Sequence, residues 1–468
     1  MMKRYTPPLF CLMALLLGSC SFVPKASSPA SSTPEDSSPT PLSTEGPDFY
    51  EPIDLEIEKS YNYFMKCTNQ SADTQGYGLS QDRLSNRSLA SIASTGFALA
   101  CYPVFVEEGL MEKEDAKALA LGTMDTVLRM QQDESVAYGG CLAHFVSRAS
   151  GQRVQNSEIS TIDTAILVSG ALTASQYFGE PLIEKANQIW SNVDFTAFQI
   201  TQNGKPYISM GVDKPEEGRK QLGPWDYLAE QLMIYILGVG NPNPEHRISD
   251  IYYKSFTKHK DSYGGYEFYH SWFGSLFTYQ FSHAFFDFTS YKDYRGIDYF
   301  ENSVLASKAA YQYCQDKAST YKTFSPSSWG LTACDTPTGY SGLLGTPPRG
   351  YGANSIEYLE IEGTVAPTAA IGSMPFTPEE SYRALVNYQS IPRLNHPDYG
   401  IVDAYNLDFK GSEWYCEDIL GIDKGIEVLQ LYNYKRNNFV SALAMNNPYV
   451  IEGFTGNGFT EVKNGANA

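Results

Sequence analysis

Residues 157–178 read SEISTIDTAILVSGALTASQYF, and from Thr164 to Phe178 fifteen residues pass without a charge. That run is too long for a buried strand of about 4–8 residues and fits a helix buried on most sides. Comparable helical segments recur at 86–106, 112–131, 180–192, 224–238, 274–288, 298–317, 378–390 and 421–435, with Gly- and Pro-rich loops between them. The first carries Ile92, Phe97, Leu99 and Val104 as its apolar positions. The second opens Glu112-Lys113-Glu114-Asp115, with acids where the helix dipole favours them. Strand-like pieces such as Tyr207–Val212 are short and isolated. Helices without alternating strands indicate an all-α architecture. Residues 49–468 exceed a four-helix bundle and suit a closed ring of six helical hairpins, each of roughly 70 residues with its loops.

The ends of the chain read differently. Lys3 and Arg4 precede an apolar Leu9–Leu17 too short to span a bilayer, and Leu17-Gly18-Ser19-Cys20 resembles a bacterial lipobox. Residues 1–19 are thus expected to be a lipoprotein signal peptide, with Cys20 the lipidated N-terminus, held at the bacterial envelope or cell surface by its acyl chains. Residues 21–48 hold 17 Ser, Thr or Pro among 28, a composition that buries no apolar face. As a flexible coil this stalk would span roughly 30 Å. The 49–468 domain follows. Its six cysteines, Cys67, Cys101, Cys141, Cys314, Cys334 and Cys416, include no C-x-x-C pair, which argues against structural zinc. They are expected to be mostly buried small apolar residues.

Composition narrows the function. With 34 Lys+Arg against 53 Asp+Glu the net charge is −19, which disfavours nucleic acid and leaves a neutral partner easier to accommodate. Aromatics reach 14%, with 34 Tyr; such rings suit sugar stacking and ordinary cores alike. There is no H-E-x-x-H, no G-x-S-x-G, no Walker loop and no dinucleotide fingerprint. Carboxylate chemistry remains. Asp163, Glu230 and Asp423 each stand beside uncharged or apolar helix, where an ionised carboxyl needs a partner. Asp226 lies four residues before Glu230. On one helix face the two would raise one pKa and supply a general acid, or else form a solvated acidic helix start. Glu158 precedes Asp163 by five residues. Asp423 reads either as a helix N-cap or, with Glu427, as a second carboxylate pair. Three further segments crowd aromatic and polar residues: His270–Gly274 leading to His283 and Asp287, Trp329–Asp335 leading to Tyr340, and Glu362–Pro367.

The motifs Ser157–Ala165, Arg295–Ser303, Trp329–Asp335, Gly363–Ala370 and Leu420–Asp423 resemble, in content and order, the glucoamylase-like domain family, across nearly all of 50–446. Within it the chain is most similar to the bacterial β-1,2-glucanases of glycoside hydrolase family 144. The resemblance implies an (α/α)6 barrel, no metal or organic cofactor, and hydrolysis of β-1,2-glucan with inversion. It makes Glu230 the general acid and Asp423 the general base. Glu158, Asp163, Asp226, His283, Asp287, Asp298, Asp335 and Glu362 become substrate-positioning groups, and Trp225, Trp329 and Tyr340 sugar platforms. Two positions depart from the family pattern: Ala229 stands where Asn precedes the acid, and Lys424 where Gln follows the base. An ammonium beside Asp423 is expected to favour its ionised form. Other readings are a barrel enzyme acting on another linkage or transferring the glycosyl unit, and a non-catalytic glycan-binding lipoprotein. Loops 202–223 and 339–356 are expected to decide between an open cleft and a closed pocket.

Overall fold

The computed structural model describes residues 49–154, 156–213, 220–350 and 361–462. The lipobox, Cys20 and the stalk lie outside these residues, as do parts of the 202–223 and 339–356 loops. Two kinds of helix alternate along the described chain: α1 (Glu51–Cys67), α2 (Ile92–Glu107), α3 (Lys113–Gln131), α4 (Thr161–Phe178), α5 (Leu182–Asn192), α6 (Leu232–Val239), α7 (Ile251–Ser255), α8 (Phe281–Phe285), α9 (Tyr299–Lys317), α10 (Pro367–Ile371), α11 (Pro378–Gln389) and α12 (Gly421–Lys435). Even-numbered helices are buried almost all round. Ile92–Phe105 of α2, Leu232–Gly238 of α6, and all of α8 and α10 are inaccessible. Odd-numbered helices bury one face only, as α11 does with Ser381, Ala384, Leu385 and Tyr388. The short helices α13 (Phe439–Ala444) and α14 (Pro448–Gly456) follow.

Small residues let the buried helices touch backbone to backbone. A Cβ on Gly170 of α4 would stand 1.9 Å from the Gly96 carbonyl oxygen of α2, and one on Gly425 of α12 would stand 2.3 Å from Phe97. Close approach at these points brings the N-terminal ends of α2, α4 and α12 together. Ser91 and Ser160 cap α2 and α4, accepting from Ser94 N and Asp163 N.

Three expectations shift. Helix 224–238 begins only at Leu232, because residues 224–228 are drawn into extended pairing. Trp225 N donates to Ile208 O at 2.9 Å, and Thr257 N to Asp226 O at 2.7 Å. The isolated strand Tyr207–Val212 is two strands. Lys205–Ile208 pairs with Gln199–Gln202 across the left-handed Asn203-Gly204 turn, and Gly211–Asp213 pairs with Ile159–Ser160. The all-α expectation therefore holds for the core, while small two- and three-stranded sheets build the loops. All six cysteines from Cys67 to Cys416 are buried free thiols.

Candidate active site

The helix starts gather the charged side chains. Asp163 is buried in the first turn of α4, bonded to Ser160 Oγ through both its N–H and its carboxylate. His144 reaches it from a neighbouring strand end. Its Nδ1 is 2.8 Å from Glu158 Oε1 and its Nε2 3.5 Å from Asp163 Oδ1. Burial disfavours the imidazolium, but the two carboxylates outweigh it and lift His144 to about 9. The same contact draws Glu158 below its ordinary value against the effect of its burial.

Glu230 stands just before α6. It is 9% exposed, and burial, with Asp163's charge adding, pushes its carboxyl up to about 7. Asp226 is not the cause. The two residues precede the helix and share no helical face, so the proposed pair is replaced by Glu230 with Asp163. Asp226 is raised by its own burial.

At the start of α12, Asp423 is a first-turn residue behind an N-cap at Leu420, which rules out the N-cap reading. Burial raises its carboxyl, and Asp403 adds to this more than Glu427 does. Asp403 is 2% exposed, accepts Asp335 N at 2.7 Å through Oδ2, and is itself raised by burial and by Asp335. Asp403 Oδ1 and Asp423 Oδ2 are both buried with no donor from another residue, and the two carboxyls are within hydrogen-bond reach of each other. Two adjacent buried carboxyls cannot both ionise readily, so the pair retains a proton. Lys424 counters this only in part: its charge favours the ionised Asp423 as expected, but its ammonium is paired with Glu56 at 2.6 Å and Glu427 at 2.8 Å, and burial and Asp403 outweigh it.

Between the two centres runs a row of charges. Asp82 lies within electrostatic reach of His144. Arg83 Nε is 3.2 Å from Asp82, and its Nη1 is 3.0 Å from Asp335 and 3.4 Å from Asp418. Gly421 N donates to Asp82 O at 2.8 Å, which fastens this loop to α12. Asp335, Asp403 and Cys416 offer ligand atoms within 4.8 Å of one another, a group able to hold a cation, though Arg83 already supplies positive charge there. Alongside opens a cavity of about 510 Å³ lined by Asp335, Gly339, Trp414, Tyr415, Cys416 and others, within the usual size range of ligand pockets. Tyr340 pairs with Asp335 across a hairpin and is 38% exposed as a residue, while burial of its hydroxyl and the charges of Asp403 and Asp423 hold that group well above its ordinary value.

Other expected site residues lie elsewhere or are already engaged. His283 is buried in α8, bonded to Ser303 Oγ at 3.0 Å and pushed down to about 3 by burial, and it shares a small cavity with Asp287 near Gln430 and Asn438, toward the far end of α12. Asp287 itself accepts Thr289 N at 2.9 Å. Asp298 is the N-cap of α9. Trp329 is fully buried, with Nε1 donating to Glu380 O at 3.3 Å, and is core. Trp225 is 7% exposed, its indole donating to Thr161 Oγ1 at 3.1 Å, and walls the Asp163 side. Glu362 closes a local turn with Thr364 Oγ1, 2.6 Å away.

His144, Arg83, Asp82 and Asp403 escaped the sequence reading. Asp403, flanked by Ile401, Val402 and Ala404, carries the signal that singled out Asp163, a carboxylate within an apolar run. His144 is one of only six histidines, but nothing local marks its partners.

Comparison with known proteins follows the same residues. Residues 223–448 match the Glycoamylase family model, described as "Putative glucoamylase". That stretch of the chain is thus similar to this family. Relatives of the chain include a curated exo β-1,2-glucooligosaccharide sophorohydrolase acting at the non-reducing end, from Parabacteroides distasonis. It is 24% identical over 445 residues, covering 86% of this chain; the chain spans 57% of that relative's length. Among solved structures, the endo-β-1,2-glucanase of Chitinophaga pinensis, in complex with sophorotriose and glucose, superposes with a TM-score of 0.73 at 23% identity, covering 88% of this chain and 99% of its own. The β-1,2-glucanase of Parabacteroides distasonis gives 0.74 at 22% identity, covering 88% of this chain and 60% of its own. The chain thus shares its fold with these enzymes.

Proposed function

We propose that the protein is an inverting glycoside hydrolase that cleaves β-1,2-linked glucan. The observation that carries this reading is the juxtaposition of two proton-handling centres at the N-terminal ends of packed helices: Glu230, which keeps its proton to about pH 7, and the Asp403–Asp423 pair, which shares one. The β-1,2-glucan activity of the relatives supports the linkage. Inversion needs an acid to protonate the leaving oxygen and a base to take a proton from water on the opposite face of the sugar. Glu230 serves as acid. Asp423 serves as base when the pair's one proton rests on Asp403, which leaves the Asp423 carboxylate to receive the proton from water. Glu158 and Asp163, pinned by the His144 imidazolium, accept hydrogen bonds from sugar hydroxyls, with Asp335 doing so near the base. Tyr340 and Trp414 line the approach as stacking faces. No step in this scheme calls on a metal or organic cofactor.

The alternation of enclosed and half-buried helices supports six inner–outer pairs, the (α/α)6 barrel, with the reaction at its inner-helix N-termini. Through Cys20 and the Ser/Thr/Pro stalk the enzyme would stand off an envelope membrane, facing glucan outside the cytoplasm.

The test is product analysis with linear β-1,2-glucan beside β-1,3-glucan, β-1,4-glucan and starch. Sophoro-oligosaccharides from the first alone are expected, and their sizes separate endo-cleavage from end-release. Turnover of starch alone would overturn the linkage.

A further inference from the structure

Glu56 sits on the buried face of α1 among Ile53, Ile57 and Ser60, and its side chain is 1% exposed. Its Oε1 accepts two hydrogen bonds, from Lys424 Nζ at 2.6 Å and from Ile401 N at 3.3 Å. Lys424 follows Asp423 directly, and Ile401 lies two residues before Asp403. One carboxylate therefore grips both segments that present the acidic pair. The neighbouring chain is shaped around it: Gly400 has φ +79°, and a Cβ there would stand 2.6 Å from Glu56 Oε1. A buried ion pair is a poor way merely to fasten helices, since apolar side chains of similar volume serve as well or better.

We infer that Glu56 is a positioning residue for catalysis, its one shared oxygen Oε1 setting the spacing of the segments that carry Asp403 and Asp423, so that the first helix completes an active site it does not line. This rests on the reading of Asp423 as the base. Placement depends on the reach of that oxygen, whereas simple charge balance depends on the negative charge. Two conservative variants separate these roles. Glu56→Gln keeps the length and an acceptor oxygen but loses the charge. Glu56→Asp keeps the charge but withdraws the carboxylate by one methylene.

Steady-state kinetics of the full chain on β-1,2-glucan, well below each variant's melting temperature, provide the test. Glu56→Gln is expected to keep kcat within threefold of the parent. Glu56→Asp is expected to lose tenfold or more in kcat with KM changed less than twofold. The reverse order, or Glu56→Asp within twofold of the parent, would overturn the inference. Asp423→Asn is measured alongside. If that variant stays active, the base assignment has failed, a result independent of the order of the Glu56 variants.

Discussion

The His144 imidazole lies between two acids, Nδ1 2.8 Å from Glu158 and Nε2 3.5 Å from Asp163, and so couples a loop carboxylate to the first turn of α4. Its folded-state value of about 9 lies above the unfolded value near 6.5. The stability this contributes is fully present below about pH 6.5 and is lost as pH rises through about 9. Thermal unfolding of the parent should therefore show a loss of melting temperature between pH 6.5 and 9 that is smaller in His144→Asn. Equal slopes would remove the charged clamp. Activity of the variant should fall at least tenfold, because Glu158 and Asp163 lose their common tether.

Glu230 must be protonated to act. With its carboxyl at about 7, kcat/KM should decline above pH 7 as the acid is lost. Glu230→Gln should abolish turnover by a factor of about a thousand or more while leaving glucan affinity within a few-fold, as titration calorimetry would record. Undiminished turnover would transfer the acid role to another carboxyl.

The acidic pair should be visible directly. A carboxylic acid C=O band, absent from an ionised carboxylate, is expected near neutral pH in the infrared spectrum of Glu230→Gln, where Glu230 contributes none. It should be lost when Asp403→Asn and Asp423→Asn are both added to that variant. Its persistence in the triple variant would place the retained proton elsewhere.

Packing of the inner helices makes a separate claim. Gly170→Ala places a methyl group 1.9 Å from the Gly96 carbonyl oxygen, where backbone and not a flexible side chain must yield. A loss of about 1–3 kcal/mol or more is expected in denaturant unfolding. Gly179→Ala, at a position with open space but φ +73°, tests backbone strain alone and separates the two effects.

The helical core was legible because its signal is local. The uncharged Thr164–Phe178 run is buried as a helix, and α3, α4, α5, α9, α11 and α12 fall close to the ranges read from sequence, whereas α2 starts six residues later than read, behind a strand at Leu89–Ser91, and the 274–288 segment holds only a 3-10 turn at Leu276–Tyr279 and the short α8. The start of α6 was not, because Trp225 and Asp226 follow the tertiary pull of Ile208 and Thr257 over local preference. The site divides the same way. Asp163, Glu230, Asp423 and Asp335 announced themselves by type and neighbourhood and are found at or near the helix starts. Their partners did not: Asp403 is 20 residues from Asp423, and Glu56 is separated from Lys424 by nearly the whole described chain. Lys424 shows the limit most clearly. Adjacent to Asp423 in sequence, it is turned to Glu56 and Glu427 by the helix, so proximity along the chain gives the direction of its effect on Asp423 but overstates its weight.

The most direct measurement is proton NMR of the anomeric signals during the first minutes of β-1,2-glucan digestion by the full chain. Reducing ends born as the α-anomer, appearing before mutarotation and absent with Glu230→Gln, are the expected result. Reducing ends born as the β-anomer would contradict the inverting acid and base pair placed at Glu230 and Asp423.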